Sequence, residues 1–229
     1  MSRIWYKVIL SPESPVAVLR SRASTQFVKT QDYLPGSTVR GAFAEIFLNK
    51  RGANDPDFQA IFVEEKISFG DLLPGFPNQS TNLLPLTTRA CKRFGLKGHP
   101  QSHTDLLLTQ MLDASGEENK KCPVCGEPVD RASGYILGDV KNGQMKYLSP
   151  DRQLRMHVGI SRKTGTAYPG LLFSYEMLTE GKIASDREAL PLQFTGYLSA
   201  PEGEADTLFK SLWEAVPPER EHLSVGKAR

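Results

Sequence analysis

The chain opens on a strand-like pattern and then changes period. Ile4-Trp5-Tyr6-Lys7-Val8-Ile9-Leu10 is rich in β-branched and aromatic residues and predicts a first strand, ended by the Ser and Pro of residues 11–15. Residues 16–34 are mixed and polar, with Arg20, Arg22 and Lys29 scattered through them. After Pro35-Gly36-Ser37-Thr38, apolar residues recur at Val39, Ala42, Phe43, Ile46 and Phe47. That spacing predicts an amphipathic helix with Ser37 as its N-cap, closed by the basic turn at residues 49–54. Ile61-Phe62-Val63 and Lys66-Ile67-Ser68-Phe69 predict short strands. Residues 153–160 and 171–178 predict two longer ones around the turn Lys163-Thr164-Gly165-Thr166, and residues 193–198 another. A second helix is predicted over residues 205–216, with Leu208, Phe209, Leu212, Trp213 and Val216 on one face. Glu202, Glu204 and Asp206 lie near its start, where the helix dipole favours acids.

Strand, helix, strands, strands, helix is the order of an α+β domain, and a ferredoxin-like β-α-β-β-α-β core is the natural candidate. Residues 91–135 interrupt the alternation and hold all three cysteines. They read as an insertion folded around a metal, dividing the chain into a first core part (1–90), an insertion (91–140) and the rest of the core (141–229).

Composition narrows the class. The 229 residues are 39% hydrophobic, enough for a real core, and Pro and Gly show no period. No apolar run approaches the ~18 residues of a membrane span. The start runs straight into a strand, so no secretory signal is expected and the cytoplasm is the expected compartment. An odd cysteine count argues against a disulfide scaffold. The net charge of +2 excludes a bulk polycation, so any nucleic-acid role rests on local basic patches.

The sharpest chemistry is Cys122-Pro123-Val124-Cys125-Gly126. Two thiolates two residues apart can chelate one ion, and the glycine lets the turn close beneath it. Cys91 supplies a third ligand, and His99 and His103 compete for the fourth. His103 is preferred, because Pro100 restricts the backbone of His99. Four protein ligands suit structural zinc and leave no open catalytic position. The segment from Pro35 to Ala42 gathers backbone N–H groups, Ser37, Thr38 and Arg40 at a helix start, an arrangement that suits an anion. Lys141, Lys146, Arg152, Arg155, Arg162 and Lys163, with Tyr147 and Tyr168, form a basic stretch suited to an RNA backbone and stacked bases. The tail Ser224-Val225-Gly226-Lys227-Ala228-Arg229 could wrap a phosphate. No Gly-Lys-Ser/Thr loop, His-Glu-x-x-His or Gly-x-Ser-x-Gly motif is present, and His157 and His222 stand alone. Asp32 lies just before the helix start and is the one candidate for orienting a ribose hydroxyl in RNA cleavage.

Together these segments resemble a family. Tyr33-Leu34-Pro35-Gly36-Ser37-Thr38-Val39-Arg40-Gly41-Ala42 resembles the first-helix signature of the RAMP superfamily of CRISPR systems. Ser161-Arg162-Lys163-Thr164-Gly165-Thr166-Ala167, followed by residues 170–176, resembles the strand pair after that family's inserted hairpin. Val225-Gly226-Lys227-Ala228-Arg229 resembles the start of its glycine-rich loop. The cysteine insertion, with Cys91, His103, Cys122 and Cys125, is similar to the zinc-bearing RAMP subunit of type III-D effector complexes. That subunit is related to the one capping the 5′ tag of the guide RNA.

The resemblance implies a ferredoxin-like, RRM-related domain that binds CRISPR RNA as a structural subunit of a type III ribonucleoprotein for antiviral defence in the prokaryotic cytoplasm. Target RNA, other RAMP subunits and a large subunit would be its partners. Ser37, Thr38 and Arg40 would hold guide phosphates, and Arg162, Lys163 and Thr166 would contact guide backbone near the hairpin. Gly226 and Lys227 would complete the groove. Some relatives cleave RNA through a loop aspartate, which makes an endoribonuclease using Asp32 the first alternative. The second is a zinc-ribbon interaction module without RNA.

Overall fold

A computed structural model of the chain describes residues 2–18, 27–99, 103–112, 121–137, 146–183, 189–216 and 223–226. Side chains are not described at 169–171, 182, 183 and 189. Along the chain run β1 (Arg3–Leu10), β2 (Phe27–Val28), α1 (Gly36–Arg51), α2 (Pro56–Phe58), a π-helical turn (Gln59–Val63), β3 (Ser68–Phe69) and β4 (Leu73–Gly75). Next come β5 (Thr81–Leu83), β6 (Thr88–Cys91), α3 (Gly95–Gly98), β7 (Thr104–Asp105), α4 (Leu106–Met111), β8 (Val129–Arg131), β9 (Tyr135–Leu137) and β10 (Lys146–Leu148). The chain ends with β11 (Arg152–Ile160), β12 (Ala167–Leu178), β13 (Gly181–Ile183), β14 (Ala189–Pro191), β15 (Gln193–Pro201) and α5 (Ala205–Ala215). It divides into two compact units, 1–77 with 150–229, and 78–149. Among the described residues no helix is long and apolar enough to cross a membrane.

The first unit carries the ferredoxin-like arrangement that the element order predicts. β15 lies between β1 on one side and β3 and β4 on the other, all antiparallel. These are the first three strands of the β-α-β-β-α-β order, and α1 and α5 are its two helices. Strand alternation decides which side chains they meet. Val8, Phe194, Leu198 and Ala200 turn to one face and pack with Val39, Phe43 and Phe47 of α1 and Leu208, Leu212 and Ala215 of α5. Phe47, Leu212 and Ala200 are fully buried, each large side chain here contributing about 1.5–3 kcal/mol. Arg3, Trp5, Lys7 and Ile9 alternate onto the opposite face and are exposed.

The helix start differs from the expectation in one detail. Pro35, not Ser37, occupies the N-cap, and no side chain of α1's own cap bonds its first turn. Asp71, from the loop between β3 and β4, takes that role, its Oδ1 accepting from the Gly36 N–H at 2.8 Å. Gly36 is required by space: a Cβ there would sit 2.0 Å from the Phe69 carbonyl oxygen. Ile61-Phe62-Val63 is a π-helical turn rather than a strand, burying Ile61 and Phe62 and exposing Val63. On α5 the apolar stripe holds at Leu208 and Leu212, whereas Trp213 is 59% exposed.

β11 and β12 form a long antiparallel hairpin, extended by a two-residue parallel pairing of β12 with β2. In the second unit, β6 pairs with β7 and β8, and β9 pairs with β5 and β10. Its buried residues include Leu84, Ala90, Cys91, Cys122, Tyr135, Ile136, Leu137 and Leu148.

Candidate metal centre and nucleic-acid interface

The cysteine segment builds one cluster. Cys91 ends β6, whose pairing with Val129 of β8 fixes its direction. The one-turn α3 then folds back and carries His99 at its C-cap. Cys122 and Cys125 lie in a tight turn in which the Gly126 N–H donates to the Cys122 carbonyl at 2.8 Å and the Cys122 N–H donates to the Glu127 carbonyl at 2.7 Å. Gly126 has φ +73°, a left-handed conformation that side chains disfavour, which is why a glycine closes this turn.

The ligand atoms of Cys91, His99, Cys122 and Cys125 all lie within 4.8 Å of one another. Cys91 Sγ is 3.6 Å from Cys125 Sγ, and Cys122 Sγ is 3.4 Å from His99 Nδ1. Tetrahedral bonds of about 2.3 Å to sulfur and 2.0–2.1 Å to nitrogen require edges close to these. The chemistry and the spacing therefore fit a four-ligand metal site.

His99, not His103, joins the thiols. The proline that follows His99 in sequence does bias its backbone away from the helical region, to φ −128° and ψ 73°. That bias ends α3 and turns the ring toward Cys122 instead of withdrawing it. The ring also packs on Phe94, with centroids 4.5 Å apart. His103 is exposed, immediately before β7, and lies outside the cluster.

Local electrostatics prepare one thiol to ligate. Burial pushes the Cys122 thiol up, but the backbone N–H groups of Cys125 and Val124 and the His99 ring outweigh it and bring the pKa down to about 6. At Cys125 the Glu127 amide pulls downward, while burial and the Cys122 and Cys91 sulfurs push the thiol up on balance.

The residues expected to touch RNA fall into three places. At the start of α1, Ser37 is exposed and Thr38 half-buried. Arg40, in the second turn, donates to the Phe62 carbonyl and lies 3.2 Å from Glu65. With the Gly36 N–H bound to Asp71, two of the donors read as an anion site already have internal acceptors. Arg162, Lys163 and Thr166 are all exposed in the turn joining β11 to β12, where the Thr166 hydroxyl lies 2.8 Å from that of Thr164. Gly226 is exposed beside a groove of about 450 Å³ lined by Leu10, Pro15, Val16 and Phe194. Lys227, like His222 and Lys141, lies outside the described residues.

Asp32 meets the base of the hairpin, its Oδ1 2.5 Å from the Arg152 guanidinium. Arg152 also reaches Glu176 at 3.6 Å, and Glu176 accepts from the Thr30 N–H at 3.2 Å. This network ties the loop before α1 to β11 and β12. Tyr147, grouped by sequence with the basic hairpin, belongs to β10 of the second unit, and burial pushes its hydroxyl pKa up.

The hairpin has two unlike faces, which register reveals and sequence does not. His157 pairs with Phe173 and Arg155 with Tyr175. The His157 ring lies nearly parallel to Phe173 at 5.3 Å, and Tyr175 meets both rings edge-on. On the reverse face Leu154, Met156 and Val158 are at least half exposed, as is Leu172 opposite Val158.

Comparison with known proteins adds the following. The RAMP superfamily pattern matches residues 25–227. A chain in the cryo-EM structure of the type III-B Cmr-beta bound to cognate target RNA is 10% identical, with a TM-score of 0.51 over 97% of this chain and 92% of that one. A chain in the type III-B Cmr-beta apo state is 11% identical, with a TM-score of 0.47 over 98% and 92%. The first of these likenesses shows a shared fold. No curated protein matches the sequence.

Proposed function

The chain belongs to the RAMP superfamily, and from that premise we propose that it is an RNA-binding structural subunit of a type III CRISPR ribonucleoprotein. It would bind guide RNA alongside other RAMP subunits and help present it to a target. The observation that carries the reading is the β11–β12 hairpin. It presents Arg162 and Lys163 at an exposed turn and Arg155 beside the His157, Phe173 and Tyr175 rings. A cationic tip suits a phosphate backbone, and rings suit bases. In this proposal the hairpin is the principal contact, because Arg40 and the Gly36 amide already have internal partners. Asp32 serves as an anchor for Arg152 at the hairpin's base. The Cys91, His99, Cys122 and Cys125 cluster would hold zinc, stapling residues 78–149 with no position left for catalysis.

The double substitution Arg162→Ala with Lys163→Ala tests the hairpin. Phosphate contacts carry no base information, so affinity should fall about tenfold at moderate salt for every guide sequence alike. The slope of log affinity against log salt should shallow by roughly one to two. Unchanged affinity and an unchanged slope would remove the hairpin from the interface.

A further inference from the structure

The face of the main sheet that turns away from α1 and α5 has a composition the hairpin proposal does not use. On β1 it presents Arg3, Trp5, Lys7 and Ile9, and on β15 Gln193, Thr195, Tyr197 and Ser199. Trp5 is 65% exposed, Tyr197 51% and Ile9 50%. Lys7 lies directly opposite Tyr197 in the ladder, and Trp5 is opposite Ser199, one same-face position further along. Diagonal same-face neighbours in a ladder stand about 7–8 Å apart at the backbone, within reach of two successive unstacked bases.

Charge also favours one kind of ligand. Among the β1 and β15 positions of this face there are two cations and no carboxylate. Arg3 is committed to the sheet, donating to the Ser199 hydroxyl and carbonyl, the Ser68 hydroxyl and the Lys66 carbonyl. Lys7 makes no ion pair with a described residue and stands directly across the ladder from Tyr197. Large exposed rings normally find burial, and two of them flanking an uncommitted ammonium complement a polymer with π-faces and a negative backbone.

We infer that this face is a base-stacking platform for single-stranded RNA, with Trp5 and Tyr197 as the rings and Lys7 as a phosphate contact. It is separate in sequence and in sheet from the β11–β12 hairpin, and rests on the reading above only for the class of ligand.

The test uses the full chain carrying Trp213→Phe, which leaves Trp5 as the only tryptophan. A single-stranded oligouridine of about ten nucleotides is titrated in, with duplex RNA of similar length as comparison. Stacking should quench Trp5 emission saturably with the single strand and not with the duplex. Tyr197→Ala should weaken this binding about tenfold, as should Trp5→Ala read by anisotropy of a labelled oligouridine. Trp5→Phe and Tyr197→Phe, which keep a ring, should retain binding. If oligouridine binds without quenching Trp5, and only the Arg162→Ala, Lys163→Ala pair weakens it, the platform is overturned while the hairpin proposal stands. If no single-stranded RNA binds the chain at all, both fall. If Trp5→Ala and Tyr197→Ala leave RNA affinity unchanged but release co-purifying protein, the face is a protein-docking surface and the inference is wrong.

Discussion

Cys122→Ser is expected to release a bound zinc ion and unfold residues 78–149 while leaving the ferredoxin-like unit folded. The Cys122 sulfur is buried, lies 3.4 Å from His99 Nδ1, and belongs to the thiol that the local field already holds near pKa 6. A unit this small buries few large side chains, and Leu107, Leu108, Met111 and Leu112 of its α4 segment are mostly exposed. It therefore depends on a staple. Structural zinc supplies on the order of 10 kcal/mol of folding free energy in comparably small modules, so losing one of four ligands should exceed any single core truncation. The core of the first unit is built from Val8, Phe43, Phe47, Phe194, Leu198 and Leu212, none of them near the cluster in sequence. Metal analysis should give one zinc per chain for the parent and much less for Cys122→Ser. Limited proteolysis should cut the variant within residues 78–149 first. His99→Ala should behave like Cys122→Ser, and His103→Ala like the parent. The reverse order for the two histidines would show that the fourth ligand is wrongly assigned.

Alanine at Gly36 and at Gly41 should move stability in opposite directions, although the two glycines sit five residues apart on one helix. At Gly36 the new Cβ would meet the Phe69 carbonyl oxygen at 2.0 Å and the Gly70 backbone at 3.0 Å. Those are backbone atoms of the segment that pairs with β15, so helix and sheet must part. The same movement lengthens the Gly36 N–H bond to Asp71, the cap of α1. Together these should cost about 3 kcal/mol or more, beyond ordinary overpacking. At Gly41 a Cβ meets nothing within 4 Å, and alanine there should gain about 0.5–1 kcal/mol from helix propensity alone. Chemical denaturation of the two variants reads both signs, and a neutral Gly36→Ala would mean that the helix start is looser than its packing shows.

Those contrasts also mark what the sequence can express. β1 was legible from its run of β-branched and aromatic residues, and α1 because its apolar residues keep the helical period of 3.6. Residues 61–63 were not, because a short apolar run fits a strand or a buried helical turn equally, and Ile61 and Phe62 are buried in the latter. The cap on α1 escaped because it comes from Asp71, distant in sequence, while Ser37 offered a plausible local one. Spacing alone brought Cys122 and Cys125 together and made Cys91 a third ligand. The choice between His99 and His103 depended on whether a one-turn helix folds back, which Phe94 packing and the β6–β8 register decide. The ring trio His157, Phe173 and Tyr175, and the Trp5–Lys7–Tyr197 face, depend on cross-strand register, and no pattern within one strand reveals it.

The central claim is that this chain holds guide RNA, and sequencing the RNA that co-purifies with it from its native host tests that most directly. The account predicts short RNAs sharing a single repeat-derived 5′ end, retained by the parent and depleted in the Arg162→Ala, Lys163→Ala variant. A complex recovered intact with no RNA, or with RNA of random ends, would contradict it.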